Sequence, residues 1–594
     1  MRVLPGGRRG QVIVMVTLVL FAMCGIMGLA VDLGWAYFVK KSAQAAADSA
    51  ALAAASKAFD TVGEGGSYST LDTPGTPVPC SSGGLGLVLL EGCAYAQRNG
   101  FSDSGRQGVS MAAGAYSVPV AAPKVGSVHY WVTARVSERI PQLFSAVLGN
   151  VLGGASARAT AVVINVEAPG SLYTLDRQFD YGNPDGGTGN DIFVAGNSKI
   201  TAGGDVYLAS TSHGESDHYA GEGRGSGGGV EATNGGVFIR GAGWVEPGTE
   251  GRYVPTLENG QRDGSIFKDP FRGKGQPPPP PANGPRCAVP LGDLNTYCAS
   301  GTCGPGNYFA VDKSGQATGD PLVLSADVRF GAGGSCDAGS SNPGGFGEYV
   351  FFGGFEFAKT TSTFEPGRYV LAGARQGSPP TLWSIDTQTN LQDNTPLQGG
   401  QSVPNTDAGE IFIFTDTNYP RLWIPPEVQS LASQLKFGVS DLQAGGAGGK
   451  TEINLHGLNP DHPAVPADLK TFSPTVFWQD QRNSTIKYTP GGYIDCGQVP
   501  ETSPGCAAGY SIDNPKTTGI TNGSPEMNLQ ATPSTHLYGV VYQPRGAWVV
   551  FQGSGTMIAP MQVITGSISL HGGPEVILQP LGNPIRRQVV ALVE

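Results

Sequence analysis

Charged residues are scarce in this chain, and the motifs of common enzyme classes are missing. Asp, Glu, Lys and Arg make up 14% of the 594 residues, and only seven histidines occur. The sequence contains no H-E-x-x-H zinc motif, no G-x-x-x-x-G-K-[ST] motif and no G-x-S-x-G in a strand–turn–helix setting. The net charge of −11 disfavours a nucleic-acid partner, which a basic face would recognise. We therefore predict no catalytic residues, no metal site and no cofactor.

Two Gly-rich loops contain metal-ligand residue types without a recognisable ligand geometry. Neither loop has the twelve-residue spacing and closing Glu of an EF-hand, so we expect a solvated loop and an ordinary turn. The first loop contains His213, Glu215, Asp217 and His218, and the second contains Asp180, Asn183, Asp185 and Asp191.

The most informative feature of the sequence is a long uncharged run near its start. Val12 to Val31 is 20 residues long, which is about the length needed for a helix to cross a bilayer, and Asp32 closes it. Basic residues precede the run, so we expect a cytoplasmic N-terminus and a single pass through the inner membrane. The residues selected as the membrane helix are Val12, Leu20, Gly25, Gly28, Val31 and Asp32.

The helical pattern continues beyond the apolar run into an Ala-rich stretch. We therefore predict one helix over residues 12–58, after a basic tail at residues 1–11. A cleaved signal peptide is the alternative, but the apolar run is long for one and leads directly into a strong helix. We expect an alanine face to pack closely against neighbouring helices. Its residues are Ala43, Ala46, Ala47, Ala50 and Ala54.

These residues resemble the N-terminal segment of TadG-like proteins of the Tad (Flp) pilus-assembly system. The shared pattern is R-R-x-G-Q, an apolar helix, V-D-L-G, an aromatic pair, basic residues and Q-x-A-A-D-x-A-A-L-A-A-A. It occupies Arg8–Gln11, Val31–Gly34, Trp35 with Tyr37, Lys40–Lys41 and Gln44–Ala55. The resemblance implies a membrane-anchored assembly component whose partners are pilus-assembly membrane proteins or pilin-like helices.

Two departures narrow this resemblance. Prepilins carry a Glu five residues after the processed Gly, and Met15 stands at that place relative to Gly10. We therefore expect an anchored component rather than a processed major pilin. Many TadG-like proteins also carry a von Willebrand A domain with a D-x-S-x-S metal site, and this sequence has none.

Nine cysteines are present, and Cys24 lies within the apolar run. An even number beyond it predicts disulfides in an oxidising compartment. We expect local pairs Cys80/Cys93 and Cys496/Cys506. The spacing leaves three connectivities open for Cys287, Cys298, Cys303 and Cys336. A structural zinc site on the last group is the alternative.

Residues 59–167 predict a small α+β module. Leu85–Asn99 has the pattern of a helix that Gly100 ends, and Leu143–Leu148 suits a short helix. Val128–Ile140 and Ala157–Val166 have the pattern of strands.

Residues 168–594 predict a large, mainly-β domain of short strands and Gly-rich turns. A spaced motif (apolar, any, Gly, three residues, apolar) suits the corners of a right-handed parallel β-helix, with a β-sandwich as the alternative. It reads VAGNSKI at 194–200, IRGAGWV at 239–245, FQGSGTM at 551–557 and LHGGPEV at 570–576. We expect a Pro-rich spacer at about 247–300, with polyproline II at Pro277–Pro281, and irregular insertions at about 380–535.

Tyr538–Gly573 also resembles the β-helical segment of TadG-like and PilX-like pilus-associated proteins. Its phrase G-x-[IV]-Y-x-P-x-G runs from Gly539 to Gly546. Leu172–Asp180 and Phe364–Gly373 resemble other parts of that segment.

The sequence therefore predicts a non-catalytic, membrane-anchored pilus-assembly or cell-surface component with a periplasmic or extracellular β-solenoid for assembly or adhesion. Surface polysaccharide and a host or abiotic surface are its further possible partners. The alternative is a tethered polysaccharide-binding or polysaccharide-degrading β-helix protein. That function requires carboxylates aligned on one face, and Asp205, Glu231 and Glu246 are isolated candidates.

Overall fold

The chain divides into two compact units. The small unit comprises Met1–Glu167, Pro270–Lys274 and Arg586–Glu594, and the large unit comprises Ala168–Asp269 and Gly275–Ile585. The computed structural model describes residues 9–593 apart from 63–67, 116–127, 143–151, 168–169, 175–191, 210–220, 225–227, 241–251, 255–270, 272–275, 337–344, 359, 376–380, 386–388, 394–406, 436–438, 443–451, 481–485, 490–491, 496–525, 532, 544–547, 554 and 582–585.

The small unit packs two helices on an antiparallel sheet. Its elements are α1 Arg9–Val62, a 3₁₀ turn Tyr68–Thr70, β1 Val78–Pro79, α2 Leu87–Arg98, β2 Gln107–Ala115, β3 Val128–Pro141, β4 Leu152–Glu167 and the last strand, Arg586–Val593. The sheet order is β1, β2, β3, β4 and then the last strand, and each neighbouring pair is antiparallel.

Side chains alternate across this sheet as the period of two in the sequence requires. Val132, Ala134 and Val136 of β3 are buried in the same core cluster as the alanines of α1. Thr133 and Arg135 between them belong to the other face, where Thr133 is buried and Arg135 is exposed. The α1 side chains in this core are almost all alanine, so the helix backbone can lie close to the sheet.

The sequence missed three strands of this sheet, one of them the two-residue β1. β2 reads QGVSMAAGA, whose small residues lack the β-branched and aromatic types that mark strands. The last strand pairs with β4, from Arg586↔Glu167 to Val593↔Thr160, and such a distant partner leaves no local signal. The helix α2 lies within the predicted Leu85–Asn99, and the short helix predicted at Leu143–Leu148 lies outside the described residues.

The described part of the large unit consists of short strands with two four-residue helices. The helices are α3 Leu294–Tyr297 and α4 Pro426–Gln429, with 3₁₀ turns at Ala432–Gln434 and Lys470–Phe472. The strands are, in chain order, β5 Gly170–Thr174, β6 Ile192–Ala195, β7 Lys199–Ala202, β8 Asp205–Ala209, β9 Gly221–Arg224, β10 Gly229–Ala232, β11 Val237–Arg240, β12 Tyr253–Val254, β13 Arg286–Pro290, β14 Thr302–Cys303, β15 Gly306–Val311, β16 Leu322–Leu324, β17 Val328–Phe330, β18 Gly347–Gly353, β19 Phe355–Phe357, β20 Thr361–Phe364, β21 Gly367–Ala374, β22 Thr381–Ile385, β23 Asn390–Gln392, β24 Glu410–Thr415, β25 Val439–Leu442, β26 Glu452–His456, β27 Thr475–Gln479, β28 Ile486–Thr489, β29 Gly492–Asp495, β30 Glu526–Gln530, β31 Thr535–Tyr542, β32 Trp548–Gln552, β33 Thr556–Thr565, β34 Ser567–His571 and β35 Glu575–Gln579.

These strands pair in parallel with strands distant in the sequence, apart from the separate antiparallel hairpin β28–β29. We call each series of strands paired in this way a stack. Over much of the unit a strand pairs with the third strand after it, as in β15–β18–β21–β24–β27. Strands β16–β19–β22–β25 and β17–β20–β23–β26 repeat the same spacing. Successive strands therefore belong to different stacks, and the chain passes through each stack in turn.

The Gly-marked motif lies where one stack gives way to the next. Three of its copies are in register. Their first apolar residues pair in the series Phe551, Leu570 and Val194. Their last apolar residues pair in the series Met557, Val576 and Ile200. The copy at 239–245 begins in β11, which belongs to a different stack with β8.

Glycine is required at this corner for two reasons. Gly553 and Gly572 have φ of 136° and 89°, which side-chain-bearing residues rarely adopt. A Cβ atom on Gly572 would also lie 2.8 Å from the carbonyl oxygen of Gly553 in the layer beneath. The turns that follow β32 and β34 therefore approach each other backbone to backbone.

The first and last described strands of the large unit pair with one another. β5, the first strand, pairs in parallel with β33 on one side and with β8 on the other. β34 and β35, the last strands, pair with β6 and β7 respectively. The first and last segments of the large unit are thus held next to each other.

The core of the large unit is aromatic around β17 to β24. Phe330 stacks on Phe364 at a centroid distance of 5.1 Å, and Tyr349 stacks on Tyr369 at 4.7 Å. Phe412 contacts Tyr369 at 5.0 Å in the next layer. Such ring contacts between equivalent positions of neighbouring layers add stability beyond the apolar area they bury.

The coarse fold prediction is confirmed: a long apolar N-terminal helix precedes a large, mostly-β unit with parallel sheets. Two finer expectations need correction. Apart from β28–β29, the described strands of the large unit pair in parallel, whereas a β-sandwich is built from antiparallel sheets. Residues 380–535 are not merely irregular, since β22 to β27 and β30 join the stacks. Long intervening segments hid these strands from the sequence analysis.

Candidate functional site: the N-terminal helix

The first half of α1 is a free apolar surface. Apolar side chains from Ile13 to Phe38 are more than half exposed, including Leu20, Phe21 and Val31. By length and composition this one helix, among the described residues, is able to cross a membrane. Val12 begins the run within the helix, and Gly25 has open space around it. The prediction of a membrane-spanning helix is therefore consistent with the structure.

Aromatic residues mark the end of the exposed segment. Trp35 stacks on Phe38 with a centroid distance of 5.6 Å, and the Lys41 ammonium lies 5.8 Å from the centre of the Tyr37 ring. Aromatic rings and lysines of this kind are typical of the boundary between lipid and water. This boundary lies where the apolar run ends and the docked half of the helix begins.

The second half of α1 is covered by the small unit itself. The predicted packing face is fully buried: Ala43, Ala46, Ala47, Ala50 and Ala54. Val39 packs with Ile140 and Ala155 at the end of the β3–β4 pair. Along the same side of the helix, Asp32 and Gly28 are also buried.

This burial corrects one sequence interpretation. The alanine face packs against α2 and the sheet of the same chain and is not open to helices of other proteins. The closest approach involves Gly92 of α2, where an added Cβ atom would lie 2.8 Å from the Ala50 carbonyl oxygen and 3.1 Å from the Ala54 Cβ. The surface that remains for other helices is the exposed apolar half.

A comparison with protein families assigns this helix. Residues 10–57 match the Tad family model, described as putative Flp pilus-assembly TadE/G-like. This Tad segment confirms the resemblance that the sequence suggested. It spans both halves of α1, the exposed apolar half and most of the docked half. No curated protein and no solved structure matches the chain.

Disulfides close loops in both units. Cys80–Cys93 tethers the end of β1 to α2, beside the docked half of the Tad segment. Cys287–Cys336 and Cys298–Cys303 lie in the large unit around β13 and β14, so these four cysteines pair with one another. Cys24 is free and exposed on the apolar half. Cys496 and Cys506 lie outside the described residues.

The acids proposed for a polysaccharide enzyme have other partners. Asp205 accepts hydrogen bonds from Tyr207 and from the Gly236 amide, and Glu231 forms a 2.6 Å ion pair with Lys199. Glu246 and both Gly-rich loops with metal-ligand residue types lie outside the described residues. Among the residues that are described, no group of three His, Cys, Asp or Glu could hold a metal ion.

A buried polar cluster that sequence reasoning missed lies between β23, β24 and β26. His456 Nδ1 lies 2.7 Å from Asp393 Oδ2, and both side chains are almost completely buried. Burial, and then the charge of Asp393, raises the pKa of the neighbouring Glu410 carboxyl well above its ordinary value. Asp, His and Glu are the residue types of acid–base catalysis, but all three side chains are buried in this structure.

We expect Ala54→Leu to destabilise the small unit by about 1–3 kcal/mol, because no space exists for a larger side chain between α1 and α2. Ala45→Leu is the matched control, since Ala45 is exposed on the same helix. Urea unfolding of the full chain in detergent micelles, followed by helix circular dichroism, measures both. Equal unfolding midpoints would show that the alanine face is not tightly packed.

Glu410 should make stability depend on pH. Because its folded pKa is raised, the folded state binds the extra proton, so stability falls as pH rises above about 4.5. Glu410→Gln is expected to remove this slope, which is about 1.4 kcal/mol per pH unit at most. Urea unfolding between pH 5 and 7 tests this, with the exposed Glu356→Gln as control. An unchanged slope in Glu410→Gln would contradict the assignment.

Proposed function

We propose that the chain is a non-catalytic, membrane-anchored component of a Tad/Flp-type pilus-assembly or cell-surface system. The observation that carries this proposal is the coincidence of the Tad segment with a helix whose first half is exposed and apolar. A helix of this kind, in water, would leave a large apolar surface uncovered. A membrane provides the environment that such a surface requires.

We propose the inner membrane as its location, with the large unit and the part of the small unit beyond the apolar half of α1 on the outer side. Three disulfides support this orientation, because disulfides persist in oxidising compartments. Arg2, Arg8 and Arg9 before the apolar run favour a cytoplasmic N-terminus. The free cysteine, Cys24, would then lie in the bilayer.

We propose further that the parallel stacks are the sides of a right-handed β-helix. Two observations support this: strands recur in the same stack at every third place, and the copies of the corner motif lie in register. Neighbouring layers would then lie about 4.8 Å apart. An experimental structure in which the stacks belong to separate open sheets would contradict the proposal.

Such a unit would serve assembly or adhesion rather than catalysis. Asp205 and Glu231 take part in structural contacts, which supports a non-catalytic role. The proposed partners in the bilayer are pilus-assembly membrane proteins or pilin-like helices. They would contact the exposed half of α1, since the alanine face is covered.

Photo-crosslinking in the native membrane tests this function. A benzoyl-phenylalanine at Phe21, which is 80% exposed, should crosslink to another Tad-system membrane protein, and the product should remain in the pellet after carbonate washing. The same residue at Tyr68, which is fully buried in the small unit, is the matched control and should give no intermolecular product.

Two outcomes would contradict the proposal. Release of the intact chain by carbonate would exclude the anchor. Retention in the membrane, without any crosslink from Phe21 to a Tad-system protein, would leave an anchored protein with a different role.

A further inference from the structure

The proline run is held against the large unit by specific hydrogen bonds. Tyr419 Oη donates to the Pro277 carbonyl oxygen at 2.6 Å. Arg368 Nη1 donates to the Pro278 carbonyl oxygen and, at 3.2 Å, to that of Pro279. Three successive carbonyl groups of the run therefore have donors from the large unit.

Burial along the run follows the period of a polyproline II helix. Pro277 and Pro280 are buried, Pro278 and Pro279 are partly exposed, and Pro281 is exposed. A polyproline II helix has three residues per turn, so positions three apart share one face. Residues 277–281, which we call the strap, thus rest on the large unit with one face of such a helix.

The donors are fixed in place before any ligand contact is counted. Arg368 bonds to Glu348 through two hydrogen bonds of 2.8 Å, and its side chain is 3% exposed. Tyr419 is equally buried. Glu348 therefore holds the guanidinium so that its remaining nitrogen, Nη1, points to the carbonyl oxygens of the run.

The chemistry of this site matches what a proline-rich ligand offers. Proline has no backbone N–H, and the carbonyl groups of a polyproline II helix make no internal hydrogen bonds. Recognition must come from donors aimed at carbonyl oxygens and from surfaces that fit the proline rings. Arg368 and Tyr419 supply the first.

An open cavity of about 550 Å³ continues from the strap. Its lining includes Pro281, Pro305, Phe346 and Pro466, together with the carboxylates of Glu348 and Asp468. Space next to the strap can therefore accept residues that flank a proline-rich ligand.

We propose that Arg368, Glu348 and Tyr419 form a recognition site for polyproline II peptides, which the strap occupies in cis. A proline-rich segment of a partner protein binds the same site when the strap is withdrawn. The strap is thus an intramolecular competitor for an interaction surface of the large unit.

Peptide binding to the full chain in detergent micelles tests the proposal. The probe is a fluorescent peptide with the sequence of residues 276–283, QPPPPPAN. We expect Pro277→Ala/Pro280→Ala, which alters the buried face of the strap, to bind the probe at least fivefold more tightly than wild type. Pro278→Ala/Pro279→Ala alters the outer face and should match wild type.

A second variant tests the donors directly. Adding Tyr419→Phe to the Pro277→Ala/Pro280→Ala background should weaken probe binding about fivefold, as expected for one hydrogen bond. Tyr297→Phe in the same background is the matched control and should have no effect. Circular dichroism confirms that each variant is folded. The proposal would be overturned if both proline variants bind the probe equally. It would also be overturned if Tyr419→Phe leaves probe binding by the Pro277→Ala/Pro280→Ala variant unchanged.

Discussion

The structure depends on an antiparallel pairing between two segments that lie far apart in the sequence. β4 leads into the large unit, and the last strand, Arg586–Val593, returns from it to pair with β4. Side chains of the last strand reach both faces of the small sheet, since Val590 packs on the alanine core and Ala591 packs with Trp131 and Val162 on the other face. In the large unit, β5 fills the layer beside the last strands in the same way. The small unit is therefore completed by segments that precede and follow the large unit in the sequence, and the large unit by pairing of its own first and last strands.

The pairing of β4 with the last strand also affects how firmly α1 is held. The fully buried side chains that the docked half of the Tad segment contributes to the alanine core are all alanines, and alanine burial yields little apolar area per residue. Its attachment must come from close packing, which needs a continuous sheet beneath it. Without its last strand, the sheet would expose a row of unpaired backbone groups on β4. The alanine core would lose Val590, and the cluster on the other face would lose Ala591. The last strand therefore helps to fix the helix that carries the apolar surface.

Local features could be read from the sequence, and distant pairings could not. The apolar run, the Tad pattern and the corner motif act over a few residues each, so their residues predict a membrane helix and Gly-marked corners. β2, with its Ala and Gly, carries no strand signal, and the last strand gives no sign that β4 is its partner. The alanine face is recognisable as a packing surface, but nothing in it tells whether a neighbouring helix or the chain itself covers it. Asp393, His456 and Glu410 likewise become buried only when the fold brings β23, β24 and β26 together.

Hydrogen exchange on a variant truncated after residue 585 tests most directly whether the pairing of β4 with the last strand holds α1 in place. The account predicts that amides of β4 facing the last strand, at Val162 to Asn165, lose protection, and that amides of α1 from Ala43 to Ala58 exchange faster with them. A full-length Leu592→Ser variant, altered at an exposed position of the same strand, should retain protection at both sites. Unchanged protection of α1 after the truncation would show that the helix is held without the last strand and would contradict the account.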